Sequence, residues 1–189
     1  MNPIIYIKGE HAAIVIILDA MKKLALDMRI GKFIDSYRIV PILDFLHTYS
    51  GHSHYEKEEK CLYPALLECD IPWTVGTINH LTDEHLLALV YINEIDTLFQ
   101  EYLSGNAQIL NSLSLSMIDY VELEKRHINT IDNVVLPLFE RIFDTQKLKS
   151  ITKDIQKIHH QNVGQRQEYY KLLAMLLEEN DVISENVYF

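Results

Sequence analysis

The sequence predicts an all-α protein: an up-down-up-down four-helix bundle with an additional C-terminal helical segment. Three observations carry this. Glycine and proline are scarce, six and five in 189 residues, and long stretches lack both, so few backbone breaks interrupt the chain. Apolar residues recur at helical spacing through those stretches. The breaks that do occur are short, and short connections make consecutive long helices antiparallel neighbours. Hydrophobic residues make up 48% of the chain, enough to bury a sizeable core and too many for a disordered chain.

The elements follow in order. A first helix is expected from about Gly9 to Met28, where Ile14, Leu18, Met21 and Ala25 share one face and "RIGKF" ends the pattern. A second starts near Asp35 or Ser36, carries Pro41 in its first turns and runs to about Glu68. "CDIPW" is a clear break. A third spans roughly Thr77 to Leu103 and stops at "SGN". A fourth runs from about Ala107 or Ser112 to Phe143. The remainder, "KLKSITKDIQKIHHQNVGQRQEYYKLLAMLLEEN", forms one helix or two, with a break expected near Val163 and Gly164, packed outside the bundle. "DVISENVYF" is expected to be a tail. This makes one domain over residues 1–189, with the bundle at about 9–145 and the helical extension at about 146–180.

Charge and cysteine use narrow the function. A net charge of −10 argues against nucleic acid and anionic membrane surfaces as partners. The N-terminus lacks a basic region followed by an apolar run, so no signal peptide is expected. "AAIVIILDAM" is broken by Asp19 and too short to span a bilayer. Cys61 and Cys69 on one helix would stand roughly 12 Å apart, too far for a disulfide. They read as reduced thiols in a cytoplasmic protein, and neither has a histidine partner at the spacing a nucleophile needs.

A repeat lies within the helices. "HYEKEEKCLYPALLE" from His54 aligns with "HINTIDNVVLPLFER" from His127; Pro64 and Pro137 each fall ten residues after the histidine, and Leu66 matches Phe139. Upstream, Glu10-His11 matches Glu84-His85. His11 precedes His54 by 43 residues, and His85 precedes His127 by 42. The chain is thus two helix pairs, each with one histidine on its first helix and one on its second. In antiparallel pairs all four histidines meet at one end of the bundle.

Their neighbours point them inward. Ile14, Val15 and Leu18 share the face of His11; Ala88, Leu89 and Ile92 that of His85; Ile131, Val134 and Val135 that of His127. Four neutral imidazoles in an apolar core would leave ring nitrogens unpaired at considerable cost. A metal ion satisfies one nitrogen of each, while the other donates to an outer acceptor. Glu58, one turn beyond His54 and roughly 6 Å along the axis, can share its ion or bridge two.

These segments resemble the haemerythrin-like, or HHE cation-binding, family over about residues 9–145. The resemblance implies a non-haem di-iron centre on an H…HxxxE…H…HxxxE pattern, carried over to His11, His54, Glu58, His85 and His127, with an oxo or hydroxo group completing the bridge between two irons. The last carboxylate departs from the pattern. Ile131 stands four residues after His127 and cannot bind a metal; Asp132 follows. Oxygen-carrying haemerythrins have a His-x4-Asp pair there, so Asp132 is expected as the sixth ligand. An i+5 position is turned about 140° from its histidine, which fits bridging better than chelation of the same ion. The carriers' His-x3-His pair on the third helix is not matched by His80-x4-His85. His80, Glu59 and Glu124 are the alternatives should Asp132 point away.

Blander assignments hold elsewhere. His47 and Tyr120 are equivalent in the repeat and expected as core polar residues, with a redox role for Tyr120 a minor option. His52 and the pair His159-His160 are expected on solvated faces. Pro64 and Pro137 should kink or loosen their helices. The expected function is binding, storage or sensing of dioxygen or a related small ligand at the di-iron centre. The alternatives are an enzyme acting on peroxide or nitric oxide, and an iron-responsive regulatory module.

Overall fold

A computed structural model of the protein describes residues 2–32, 36–161 and 169–176. The expected break near Val163 and Gly164 and the tail lie outside them. The first helix, α1, is Pro3–Arg29. It begins six residues before the expected start because Asn2 caps it: its side chain accepts the Ile4 N–H at 2.9 Å, and Pro3 occupies a first-turn position where no N–H is needed. Helix α2 covers 36–67 as an unbroken succession of α and π turns: Ser36–Phe45, Leu46–His54, Tyr55–Lys57, Glu58–Leu62 and Tyr63–Leu67. Helix α3 is Thr74–Leu103, closed at "SGN" by Gly105 with φ +98°. After a single 3₁₀ turn at Ala107–Ile109, α4 covers 110–142 as Leu110–Thr130, the π turn Ile131–Val135 and Leu136–Ile142. Helix α5 is Thr145–Gln161, and residues 169–176 are helical. No described helix is long and apolar enough to cross a membrane.

Cross-helix contacts show the antiparallel order. His11, Asp19 and Ala25 of α1 meet Asp132, Lys125 and Ser114 of α4, running in opposite directions. Tyr63 of α2 meets His85 of α3, while Gly51 lies against Ile92. Helix α5 packs outside the bundle against α1 and α2 through Ile151, Ile155 and Ile158.

The two prolines of the repeat mark matched π turns. Glu58–Leu62 precedes Pro64, and Ile131–Val135 precedes Pro137. Proline lacks an N–H and crowds the carbonyl four residues back; widening the preceding turn accommodates it without ending the helix. An extra π stretch, Leu46–His54, has no counterpart in α4, where the matching residues are α-helical. The phase of α2 therefore shifts upstream of His54. His47 turns to solvent rather than lining the core, and Tyr49 and Ser50 go inside; Tyr120, its repeat partner on unshifted α4, is fully buried.

The core is in two parts. One apolar cluster includes Ile14, Leu18, Met21, Leu46 and Phe99; the other includes Ile7, Leu62, Leu66, Ile131 and Phe139. Along every bundle helix a layer of buried polar residues separates them: Glu10 and His11; His54, Lys57 and Glu58; Glu84 and His85; Glu124 and His127.

Candidate metal centre

Each of the four bundle helices contributes one histidine to this layer, and each histidine is at most 1% exposed. Glu58 sits among them, fully buried. Its Oε1 lies 3.2 Å from His11 Nε2 and 3.3 Å from His54 Nε2. Its Oε2 lies 3.2 Å from His85 Nε2 and 3.0 Å from His127 Nε2. One carboxylate thus turns one oxygen to each histidine pair. His11, His54 and Glu58 form one group able to hold a metal ion; Glu58, His85 and His127 form a second.

The outward nitrogens are equally organised. Nδ1 of His54 donates to Glu10 at 2.9 Å, and that of His127 to Glu84 at 3.0 Å. Nδ1 of His11 donates to Asp132 and that of His85 to Glu59, both at 2.7 Å. Four carboxylates therefore fix four rings with Nε2 turned inward. They obey the repeat: Glu10 and Glu84 act within their own helix pair, Glu59 and Asp132 across to the other pair.

Asp132 is thus not where a bridging ligand would be. Its i+5 position turns it away from the His127 face toward α1, and its carboxylate stands behind the His11 ring. Glu59, an alternative ligand on sequence, stands behind His85 in the same way. Glu124 accepts the Tyr55 hydroxyl at 2.5 Å, and Tyr55 stacks on the His85 ring with centroids 3.9 Å apart. His80 is an exposed side chain 3.4 Å from Glu84. The apolar neighbours are only partly inward: Leu89 and Val134, four and seven residues beyond their histidines, are exposed. His52 and His160 face solvent as expected, while His159 pairs with the Tyr6 hydroxyl. Both cysteines are free, and burial raises the Cys61 thiol to about 11, far from a nucleophile.

Three residues of α2 near the histidines have no chemical counterpart on α4: Ile131 matches Glu58, Leu136 matches Tyr63 and Thr130 matches Lys57. The Tyr63 hydroxyl donates to Glu58 Oε2 at 2.8 Å and lies 3.4 Å from His85 Nε2. Lys57 is fully buried and pairs with Glu10 at 2.5 Å. Neither residue was singled out by sequence reasoning. A lysine and a tyrosine on a helix are ordinary surface residues until the packing is known, and no sequence signal sets these two apart.

The centre is strongly polarised. Burial favours a neutral Glu58 carboxyl, but the charge of His127 and hydrogen bonds from His11 and His127 hold it well below the usual carboxylate range. Burial disfavours charged His54, yet its bond to Glu10 and the neighbouring Glu58 carboxylate raise it to about 9. His127 likewise rises to about 10 against its burial, through Glu58 and Glu84. Burial of the Tyr63 hydroxyl and the adjacent Glu58 charge keep it protonated. Without a cation between them, Glu58 favours the protonated form of the His54 and His127 rings.

The donors fit metal binding. His54 Nε2 is buried and makes no aligned hydrogen bond although it lies 3.3 Å from Glu58 Oε1, and His85 Nε2 and His127 Nε2 are 3.1 Å apart, a contact that a shared proton or a cation between them satisfies. Each group combines two imidazole nitrogens with one carboxylate oxygen, the donor composition of the facial triad used by non-haem ferrous sites. A family model described as the hemerythrin HHE cation binding domain matches residues 2–139. No curated protein and no solved structure matches the chain.

Proposed function

This chain belongs to the hemerythrin HHE cation binding domain family, and from that premise we propose that it is a non-haem di-iron protein that binds dioxygen or a related small ligand for binding, storage or sensing. The observation that carries the proposal is Glu58, with one oxygen turned to each of two histidine pairs. His11 and His54 would hold one iron and His85 and His127 the other, through Nε2, with Glu58 bridging. Bound iron supplies redox chemistry and open positions for a small ligand. The protein's part is to aim and insulate. Glu10, Asp132, Glu59 and Glu84 fix the rings and raise their basicity. Ile131, at the position matching Glu58, adds no second carboxylate bridge. The apolar cluster containing Ile131, Leu62 and Leu136 limits water. The packing of α5 onto α1 and α2 supports one domain including the extension.

Tyr63 favours a second function, an enzyme acting on peroxide or nitric oxide. Its hydroxyl is a buried hydrogen-bond donor beside Glu58, 3.4 Å from His85 Nε2. Anaerobic loading with ferrous iron, then exposure to oxygen and its removal, separates the two. About two irons per chain with a reversible change in the visible spectrum supports ligand binding. Two irons with irreversible oxidation and rapid consumption of added peroxide supports the enzyme. No stoichiometric iron removes both.

A further inference from the structure

Lys57 is 0% exposed, and its Nζ lies 2.5 Å from Glu10 Oε1. Tyr49 donates to that same oxygen at 2.7 Å. The other Glu10 oxygen holds His54 Nδ1 at 2.9 Å. A fully buried ion pair is weak evidence of stabilisation, since the cost of desolvating both charges is comparable to their attraction. Its position directly behind one metal-facing histidine calls for another explanation. The opposite half lacks it. Thr130 stands at the matching position, and the other cations near Glu84, the counterpart of Glu10, are His80, a side chain 71% exposed, and Arg126, also exposed, where solvent screens charge.

We propose that Lys57 is a positioning residue that makes the two metal positions electrically unequal, so that the ion held by His11 and His54 is reduced first. This rests on the two-iron function proposed above. A carboxylate behind a ligating histidine makes the ring a stronger donor. Glu10, already neutralised by Lys57 and Tyr49, passes less charge to His54 than Glu84 passes to His127. The buried ammonium also favours directly whichever oxidation state carries less positive charge. Both effects act in the same direction. Each step is the one-electron reduction of a ferric to a ferrous ion, with the electron supplied by a small reductant through soluble mediators.

The test is a mediated optical redox titration of the iron-loaded full chain, with iron content measured on the same samples. Wild type should bind two irons per chain and show two resolved one-electron steps. Lys57→Met should lower the first step by at least tenfold in its equilibrium constant, about 59 mV for one electron, and narrow the separation. Lys57→Arg should retain it. Thr130→Lys leaves the buried pair intact and should narrow the separation from the other side, by raising the second step. A wild-type chain with two irons and one unresolved two-electron step overturns the inference. So does a separation that neither Lys57→Met nor Thr130→Lys changes while both hold two irons; the two-iron function then stands without it. If Lys57→Met does not fold, an unchanged separation in Thr130→Lys is sufficient to overturn it. Fewer than two irons in wild type removes both proposals.

Discussion

Glu59 and Asp132 are mirror images in function: each stands five residues after its own helix's histidine, and each takes the outer nitrogen of a histidine on a neighbouring helix at 2.7 Å. Neither faces the inner nitrogens. Asp132→Asn and Glu59→Gln are therefore expected to weaken metal affinity by about 10- to 100-fold, the usual cost of losing an outer partner, and not to abolish binding. Competition with a chelator of known affinity measures this. Loss of one iron per chain at saturating metal would show that Asp132 is a ligand after all.

Glu58→Ala removes the one carboxylate that, among the described residues, meets all four inner nitrogens. Because Ile131 cannot replace it, iron content at saturation should fall from about two per chain to one or none. Metal analysis after gel filtration reads this directly. Retention of two tightly held irons would contradict the bridging role.

The metal-free protein should have a defined pH window. His54 and His127 are raised from 6.5 to about 9 and about 10, so the stability they contribute is complete below about pH 6.5 and is lost as pH rises through those folded values. Glu10 is lowered from 4.5 to about 2 and Glu58 is lowered too, so their contribution is complete above about pH 4.5 and is lost on acidification toward 2. Maximal metal-free stability is expected between those limits. Melting temperature should fall from about pH 7 to 10, and iron should remove much of that fall, because an ion does the work of the protons. Calorimetry of chelated and loaded protein tests this; a flat metal-free profile to pH 10 would count against it.

Tyr63→Phe should keep both irons, since no imidazole or carboxylate is lost. If the centre turns over peroxide, the rate should drop by about 10²- to 10⁴-fold, the usual contribution of a positioned proton donor. Stopped-flow consumption of peroxide decides. An unchanged rate would leave Tyr63 as a hydrogen-bond partner of Glu58 alone.

Gly51→Ala tests the approach of α2 to α3. A Cβ there would sit 2.9 Å from the Leu46 carbonyl oxygen and 3.1 Å from both Ile92 and Leu89. Backbone at that distance cannot step aside cheaply, so a loss of about 1–3 kcal/mol is expected, exceeding the helix-propensity gain of alanine. Denaturant unfolding of the metal-free chain measures it.

The helices and the inner five residues, His11, His54, Glu58, His85 and His127, were legible in the sequence. Helical periodicity and its breaks are local properties, and the histidine repeat marks one face of every bundle helix. Helix starts were less legible: α1 begins at Pro3 because of a cap that precedes the periodic pattern. Only the tertiary structure decided what surrounds the five. Where Glu10, Glu59, Glu84 and Asp132 point depends on which helix lies beside them, and a carboxylate in a helix reads as solvated until a neighbour's imidazole is placed against it. The phase of α2 depends on π turns that no periodicity count at 3.6 residues detects, so His47 lay outside while its repeat partner Tyr120 lay inside. Burial of Lys57 follows from the same packing: lysine is rarely taken out of water unless a partner charge waits there, and Glu10 reaches that place only when α1 and α2 come together.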